Sequence, residues 1–251
     1  MSARRKRKRR RRYGIPRGQY TDGMEVVRDV QGVLRESPDL LLPMYGHLMR
    51  AWAGQWLYYQ APAGEVRAEE IGDPVGDIRD IVSGEIRAVQ EVDADRPVLG
   101  GDHIAGRDGD YLVVDISSLD SEPHTISMSV EPHAAGDNER AYGTDSATDT
   151  NVRSAVTDNW ALRNTESDDI RTGDNSVGLR GTLTGVHDQP AILRHRDDET
   201  SGDVGEPSIG ESLGIFARSD GTSPLDADVR WWAYWGRAVD LETRRALEAR
   251  A

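Results

Sequence analysis

The chain has 251 residues, 44 acidic against 31 basic side chains, a formal net charge of −13, no cysteine and a single Phe. The lack of cysteine excludes disulfide frameworks, thiol nucleophiles and Cys-ligated zinc. The length fits one large domain or a small domain with appendages, and a hydrophobic content of 37% leaves the core to Val, Ile, Leu, Ala and six tryptophans.

Charge is divided along the chain. Residues 4–12 read RRKRKRRRR, and with Arg17 the first 20 residues hold ten Lys/Arg and no Asp/Glu, or +10. The remaining 231 residues hold the other 21 basic groups and all 44 acidic ones, or −23, and both lysines, Lys6 and Lys8, lie in the basic segment. A run of like charges repels itself and does not fold alone. No apolar segment follows it, so no secretory signal is expected. Tyr13-Gly-Ile-Pro-Arg-Gly reads as an extended hinge, making residues 1–20 an arm.

A helical segment is expected over residues 21–62. Asp22-Gly-Met-Glu25 has capping-box spacing, and Val26, Val27, Val30, Val33 and Leu34 repeat at helical period. Ser37-Pro38 stops that helix and caps the next. Leu40 to Tyr59 is the most hydrophobic stretch, with Leu41, Tyr45, Leu48, Trp52, Trp56 and Tyr59 on one broad helical face. Arg50 near its centre and Pro43, Gly46, His47 and Gln55 argue for a packed or interfacial helix over a membrane span.

From about residue 63 the period becomes that of strands. In GEIRAVQEVD, Ile86, Ala88 and Val92 alternate with charged residues; HTISMSV sets Ile126, Met128 and Val130 against Thr125, Ser127 and Ser129; VGLRGTLTGV aligns Val177, Leu179 and Leu183. YLVVDIS, AILRH, SLGIFARS and DVRWWAYW are further strands. The expected fold is therefore mainly β, a sandwich or jelly-roll-like barrel of about eight strands over residues 63–238. Residues 134–176 are polar and read as a long surface insertion with one edge strand near Val152–Leu162. Asp240 caps a short C-terminal helix in residues 239–251.

The densest constellation with possible chemistry is GGDHIAGRDGDYLVVD, where Asp102, His103, Asp108, Asp110 and Asp115 cluster. Hard cations favour such carboxylates, but no ligand interval matches a known metal motif, and 28 Asp residues make chance clusters common. His47, His124, His133, His187 and His195 share no helical i,i+4 pairing. No phosphate-cradling Gly-Lys-Ser/Thr motif is present. An enzyme is therefore the weaker expectation, and no cofactor or small-molecule substrate is expected. In VRWWAYWGR, Trp231 and Trp235 point opposite to Trp232 and Tyr234, so both faces of this strand need a cover; with Trp52 and Trp56 these tryptophans are interface candidates.

An Asp-rich, Lys-free body resembles proteins of extreme halophiles, whose acidic surfaces tolerate self-repulsion because molar salt shortens the Debye length to about 3 Å. At such salt a diffuse basic patch loses its hold on nucleic acid, while guanidinium–phosphate hydrogen bonds, repeated over many copies, retain it. The contact residues are then Arg4, Arg5, Lys6, Arg7, Lys8, Arg9, Arg10, Arg11, Arg12 and Arg17. A basic arm, a short helical segment and a β-rich body together resemble the layout of icosahedral capsid proteins, and with the composition the structural virion proteins of haloarchaeal viruses. That resemblance implies a homo-oligomer contacting other virion proteins, with the arm on packaged nucleic acid, anionic lipid or acidic neighbouring subunits. A cytoplasmic, cellular haloarchaeal nucleic-acid-binding protein and a metal-dependent enzyme are the alternatives.

Overall fold

The computed structural model describes residues 46–50 and 72–248, apart from 80–86, 101–102, 108, 118–122, 135, 137, 146–149, 156–158, 165–168, 173–176 and 209. The arm, the hinge, the expected helix over Val26–Leu34, and Trp52 and Trp56 lie outside the described residues.

The strands are, in chain order, β1 (Gly46–Arg50), β2 (Asp77–Arg79), β3 (Arg87–Val89), β4 (Val98–Leu99), β5 (Ile104–Gly106), β6 (Leu112–Asp115), β7 (His124–Pro132) and β8 (Arg140–Gly143). They continue as β9 (Asn151–Ala155), β10 (Asn159–Arg163), β11 (Ile170–Thr172), β12 (Gly181–His187), β13 (Ala191–His195), β14 (Asp198–Gly202), β15 (Ser212–Ile215) and β16 (Ala227–Trp235), followed by helix α1 (Leu241–Glu248). Sheet A runs β14-β13-β12-β7-β16-β5-β4, with β1 also on β16; sheet B runs β11-β10-β9-β8-β15-β6-β3-β2. The strand ladders are antiparallel and neither sheet closes on itself, so the fold is an open two-sheet sandwich and the expected barrel is corrected.

Strand alternation builds the core. Ile126, Met128 and Val130 of β7, Leu183 of β12, Leu193 of β13, and Trp232 and Tyr234 of β16 face Leu112, Val114, Tyr142, Val152, Trp160, Leu162, Leu213 and Ile215 of sheet B. Large aromatic side chains compensate for the scarcity of aliphatic ones, since each buries a large apolar area. Phe216, the one Phe, lies against the backbone of Gly106, where any Cβ would collide with its ring. The other face of β16 is also covered: Trp231 and Trp235 are buried within the chain. The interface-candidate tryptophans of β16 thus contribute to the interior of a single subunit. On that outer face Ser127 and Thr184 share a hydrogen bond of 2.7 Å, and the Thr182 hydroxyl donates to the Leu247 carbonyl of α1 at 3.2 Å.

One polar bridge crosses the core. His187 of sheet A lies 2.9 Å from the Tyr142 hydroxyl through Nε2 and 2.7 Å from Asn164 Oδ1 through Nδ1. Asn164 donates its Nδ2 to the Gly205 carbonyl at 3.0 Å, which leaves Oδ1 to accept from His187. The imidazole is then the Nδ1–H tautomer, and Nε2 accepts from the tyrosine. Gly185 makes this possible, because a side chain there would collide with the Tyr142 hydroxyl. Burial holds the His187 pKa well below its usual value, helped by the His124 ring stacked on it at 4.5 Å.

Several expectations are corrected. Gly46–Arg50 is a strand in register with Trp231–Trp235, so the expected helix over Leu40–Tyr59 is interrupted there. Residues 134–176 are no insertion: they hold β8 to β11, half of sheet B. Their strands are short and carry polar or basic residues outward, which hid the alternation. Val177 and Leu179 precede β12 in an exposed turn, and Val92 is exposed beyond β3, so none of the three extends its strand. The one edge strand expected near Val152–Leu162 is two strands, β9 and β10, inside sheet B, and the roughly eight strands expected over residues 63–238 are fifteen among the described residues, β2 to β16. The expected strands at β6, β7, β12, β13, β15 and β16 and the capped helix are shown, the Thr243 amide donating to Asp240 at 2.7 Å.

Two outcomes follow from this core. Trp232→Ala is expected to cost about 3–5 kcal/mol of unfolding free energy, read by denaturant melts in molar KCl. Because His187 is neutral when folded and titrates near 6.5 when exposed, stability is fully present above that pH and declines as pH falls below it. His187→Gln is expected to flatten this acid limb in melting curves taken across the range.

Candidate functional site

Of the sequence-nominated cluster, Asp102 and Asp108 lie outside the described residues. The others are not brought together as a metal centre. Asp110 accepts from the Arg107 amide at 3.1 Å, and Asp115 accepts from the Ser117 amide and hydroxyl at 3.0 and 2.6 Å, each closing its own turn. No set of three or more His, Asp or Glu side chains suited to a metal ion occurs among the described residues.

His103 instead meets a carboxylate that sequence reading missed. On β16, Asp228 pairs with Ala105 of β5 on one side and Glu131 of β7 on the other. The neighbouring Ala227 and Val229 face the core, so Asp228 is on the outer face of sheet A. Its Oδ2 lies 3.2 Å from His103 Nε2 and 3.0 Å from His133 Nε2. Its Oδ1 receives the Arg107 guanidinium at 2.6 Å. Arg107 also donates to the carbonyls of Gly106 and Ala227 at 2.8 and 2.9 Å and lies 3.1 Å from Asp226. Beside them Arg180 pairs with Glu131 at 2.8 Å. The turn with exposed Val177 and Leu179 borders the group, since the Gly178 amide donates to the Pro132 carbonyl at 2.7 Å.

The electrostatics follow from partial burial. Desolvation lowers the His103 pKa, the Asp228 charge opposes this, and Arg180 and Arg107 add to it. Desolvation of Asp228 works against its charge, but contacts from His133 and Arg107 prevail and hold its carboxyl below the usual range. The result is an ionised carboxylate with both oxygens engaged, beside a histidine biased to the neutral form. None of the contacts described for this group involves a serine, threonine or cysteine nucleophile. Its evident work is to tie β5, β7 and β16 together at one end of the sheet.

No signal within the His103 stretch could have found Asp228, which lies more than a hundred residues away. The one usable hint was the alternation DADV, which sets Asp226 and Asp228 opposite the apolar positions of a strand. The arm residues Arg4 to Arg12 and Arg17 lie outside the described residues.

No protein-family model matches the sequence, and no curated protein matches it significantly. Solved structures resemble the fold. Against Trypanosoma rangeli sialidase in complex with 2,3-difluorosialic acid the TM-score is 0.59 at 10% identity, over 89% of this chain and 37% of that one. The same sialidase with sialic acid gives 0.54 at 10% identity, over 89% and 38%. The binding domain of Paraclostridial Mosquitocidal Protein 1 gives 0.50 at 13% identity, over 70% and 50%. The chain thus spans little more than a third of the sialidase, and identities this low establish a shared β-sandwich fold alone.

Asp228→Asn removes the charge that holds the His103 pKa up. The His103 imidazole titration followed by NMR is expected to move to lower pH in this variant, with a loss of about 1–3 kcal/mol in stability from the unpaired Arg107. An unmoved His103 midpoint would contradict the contact.

Proposed function

We propose that this chain is a non-enzymatic structural protein of a halophilic archaeal virus particle. Its acidic sandwich is the body exposed to brine and to neighbouring subunits, and its arginine-dense arm is the tether to packaged nucleic acid or an anionic membrane. The observation that carries this reading is the division of charge, +10 on the first 20 residues and −23 on the rest. Such a division keeps the body away from polyanions while the arm is drawn to them. The Asp228 group supports a body without catalysis, since its polar atoms are spent on one another.

Removal of residues 1–18 tests it. In molar KCl the full chain is expected to form a discrete oligomer by mass photometry and to retain double-stranded DNA or anionic vesicles. The truncated chain is expected to keep the oligomer and lose the polyanion. A full chain that stays monomeric and binds DNA only through the arm favours a cellular nucleic-acid-binding protein instead. Undiminished retention of the polyanion without residues 1–18 contradicts both.

A further inference from the structure

Sheet B carries a second concentration of positive charge, remote in sequence from the arm. On its outer face the registers set Arg140 opposite Arg153, Arg153 opposite Ala161, and Ala161 opposite Arg171, a row across β8, β9, β10 and β11. The register shift between Arg140 and Tyr142 puts Arg140 into this row while Tyr142 stays in the core. Arg163 is two residues along β10 on the same face, and Arg218 adjoins Gly143 through an isolated bridge.

One carboxylate serves most of this row. Asp169 receives Arg153 at 2.6 Å and Arg163 at 2.9 Å, and Arg171 is 3.6 Å away, so both its oxygens are taken. Arg140 is left with the Asn138 carbonyl at 2.6 Å, and no carboxylate lies within ion-pair distance of it or of Arg218 among the described residues. Asp220, whose carboxyl is held down in part by the charge of Arg218, is engaged with Thr222. Arg140 is only 3% exposed, and the buried Nε atoms of Arg140, Arg153 and Arg218 have no hydrogen-bond partner. Burial first, and then the charges of Arg218, Arg153 and Arg163, push the Arg140 pKa down to about 9, which still leaves it charged at neutral pH. Buried cations without counter-charge are costly, and guanidinium groups are the side chains best shaped to share an oxyanion through paired N–H donors.

We propose that this outer face of sheet B is an oxyanion-binding site, in which Arg140, Arg153 and Arg218, flanked by the Arg163–Asp169–Arg171 group, hold a carboxylate, sulfate or phosphate. The source is either a free inorganic anion or an anionic group borne on a polymer. The site is independent of the arm and of the role proposed for it.

Calorimetric titration of the full chain with inorganic sulfate, inorganic phosphate and acetate, at constant ionic strength set with chloride, tests the assignment. Saturable binding of at least one is expected, weakened at least tenfold in Arg218→Gln and in Arg171→Gln and unchanged in Arg245→Gln on α1. The arm is present in every variant, so the difference between them reports sheet B alone. Arg140→Gln is the stronger lesion, and the two milder variants keep the test valid where it fails to fold. A parallel titration with dextran sulfate separates the sources: a gain over inorganic sulfate that disappears in Arg218→Gln assigns the site to a polymer, and equal affinity assigns it to the free ion. Absence of saturable binding, or equal binding by wild type and Arg218→Gln, overturns the proposal.

Discussion

A net charge of −23 pushes the body outward against a core one sandwich layer thick, about 10 Å between facing sheets. The fold depends on how that repulsion is opposed. Strand β16 is the centre of the opposition. It pairs with β7 along most of its length, and its other edge is shared between β1 and β5. Both of its faces are buried, with Trp232 and Tyr234 in the layer between sheets and Trp231 and Trp235 behind. Few other segments of so polar a chain could bring comparable apolar area to one place.

Around that strand the arginines of the body act as struts. Arg107 joins the ends of β5 and β16 through two carbonyls and a carboxylate. Arg244 of α1 pairs with Glu199 of β14 at 3.0 Å and donates to the Val239 carbonyl at 2.7 Å, and Arg194 of β13 pairs with Glu248. Each uses several donors of one planar group, which a lysine ammonium on a flexible stem does not reproduce. This gives the Lys-free body a structural reason as well as a compositional one. Many aspartates also have local employment. Asp115, Asp220 and Asp240 each accept hydrogen bonds from a Ser or Thr two or three residues on and have lowered pKa values, and Asp203 accepts from the Gly205 amide. Part of the Asp excess is therefore turn chemistry.

The strands that could be read from sequence were those whose apolar residues recur at strand period, β3, β6, β7, β12, β13, β15 and β16. The most consequential misreading was of residues 134–176, where Arg140, Arg153, Arg163 and Arg171 fall among Asn, Ser, Thr and Asp. Outward arginines at strand period looked like loop polarity, although Val152, Trp160, Leu162 and Ile170 supplied the inward half of the pattern. Pairings at long range were beyond reach in principle: His103 with Asp228, and His187 with Tyr142 and Asn164, meet only because sheet order brings them together. The candidate site was thus half legible, its histidine visible and its carboxylate not.

Salt dependence of folding tests the balance between repulsion and core most directly. Screening reaches about 10 Å at 0.1 M salt and about 3 Å at 1 M, so surface carboxylates that ignore one another in brine repel strongly in dilute buffer. Tryptophan emission of the full chain, followed while KCl is lowered from molar to millimolar concentration, is predicted to shift cooperatively to the red as the buried indoles of β16 meet water. An emission spectrum that stays native in dilute buffer, with no gain in melting temperature as KCl is raised, would contradict the account.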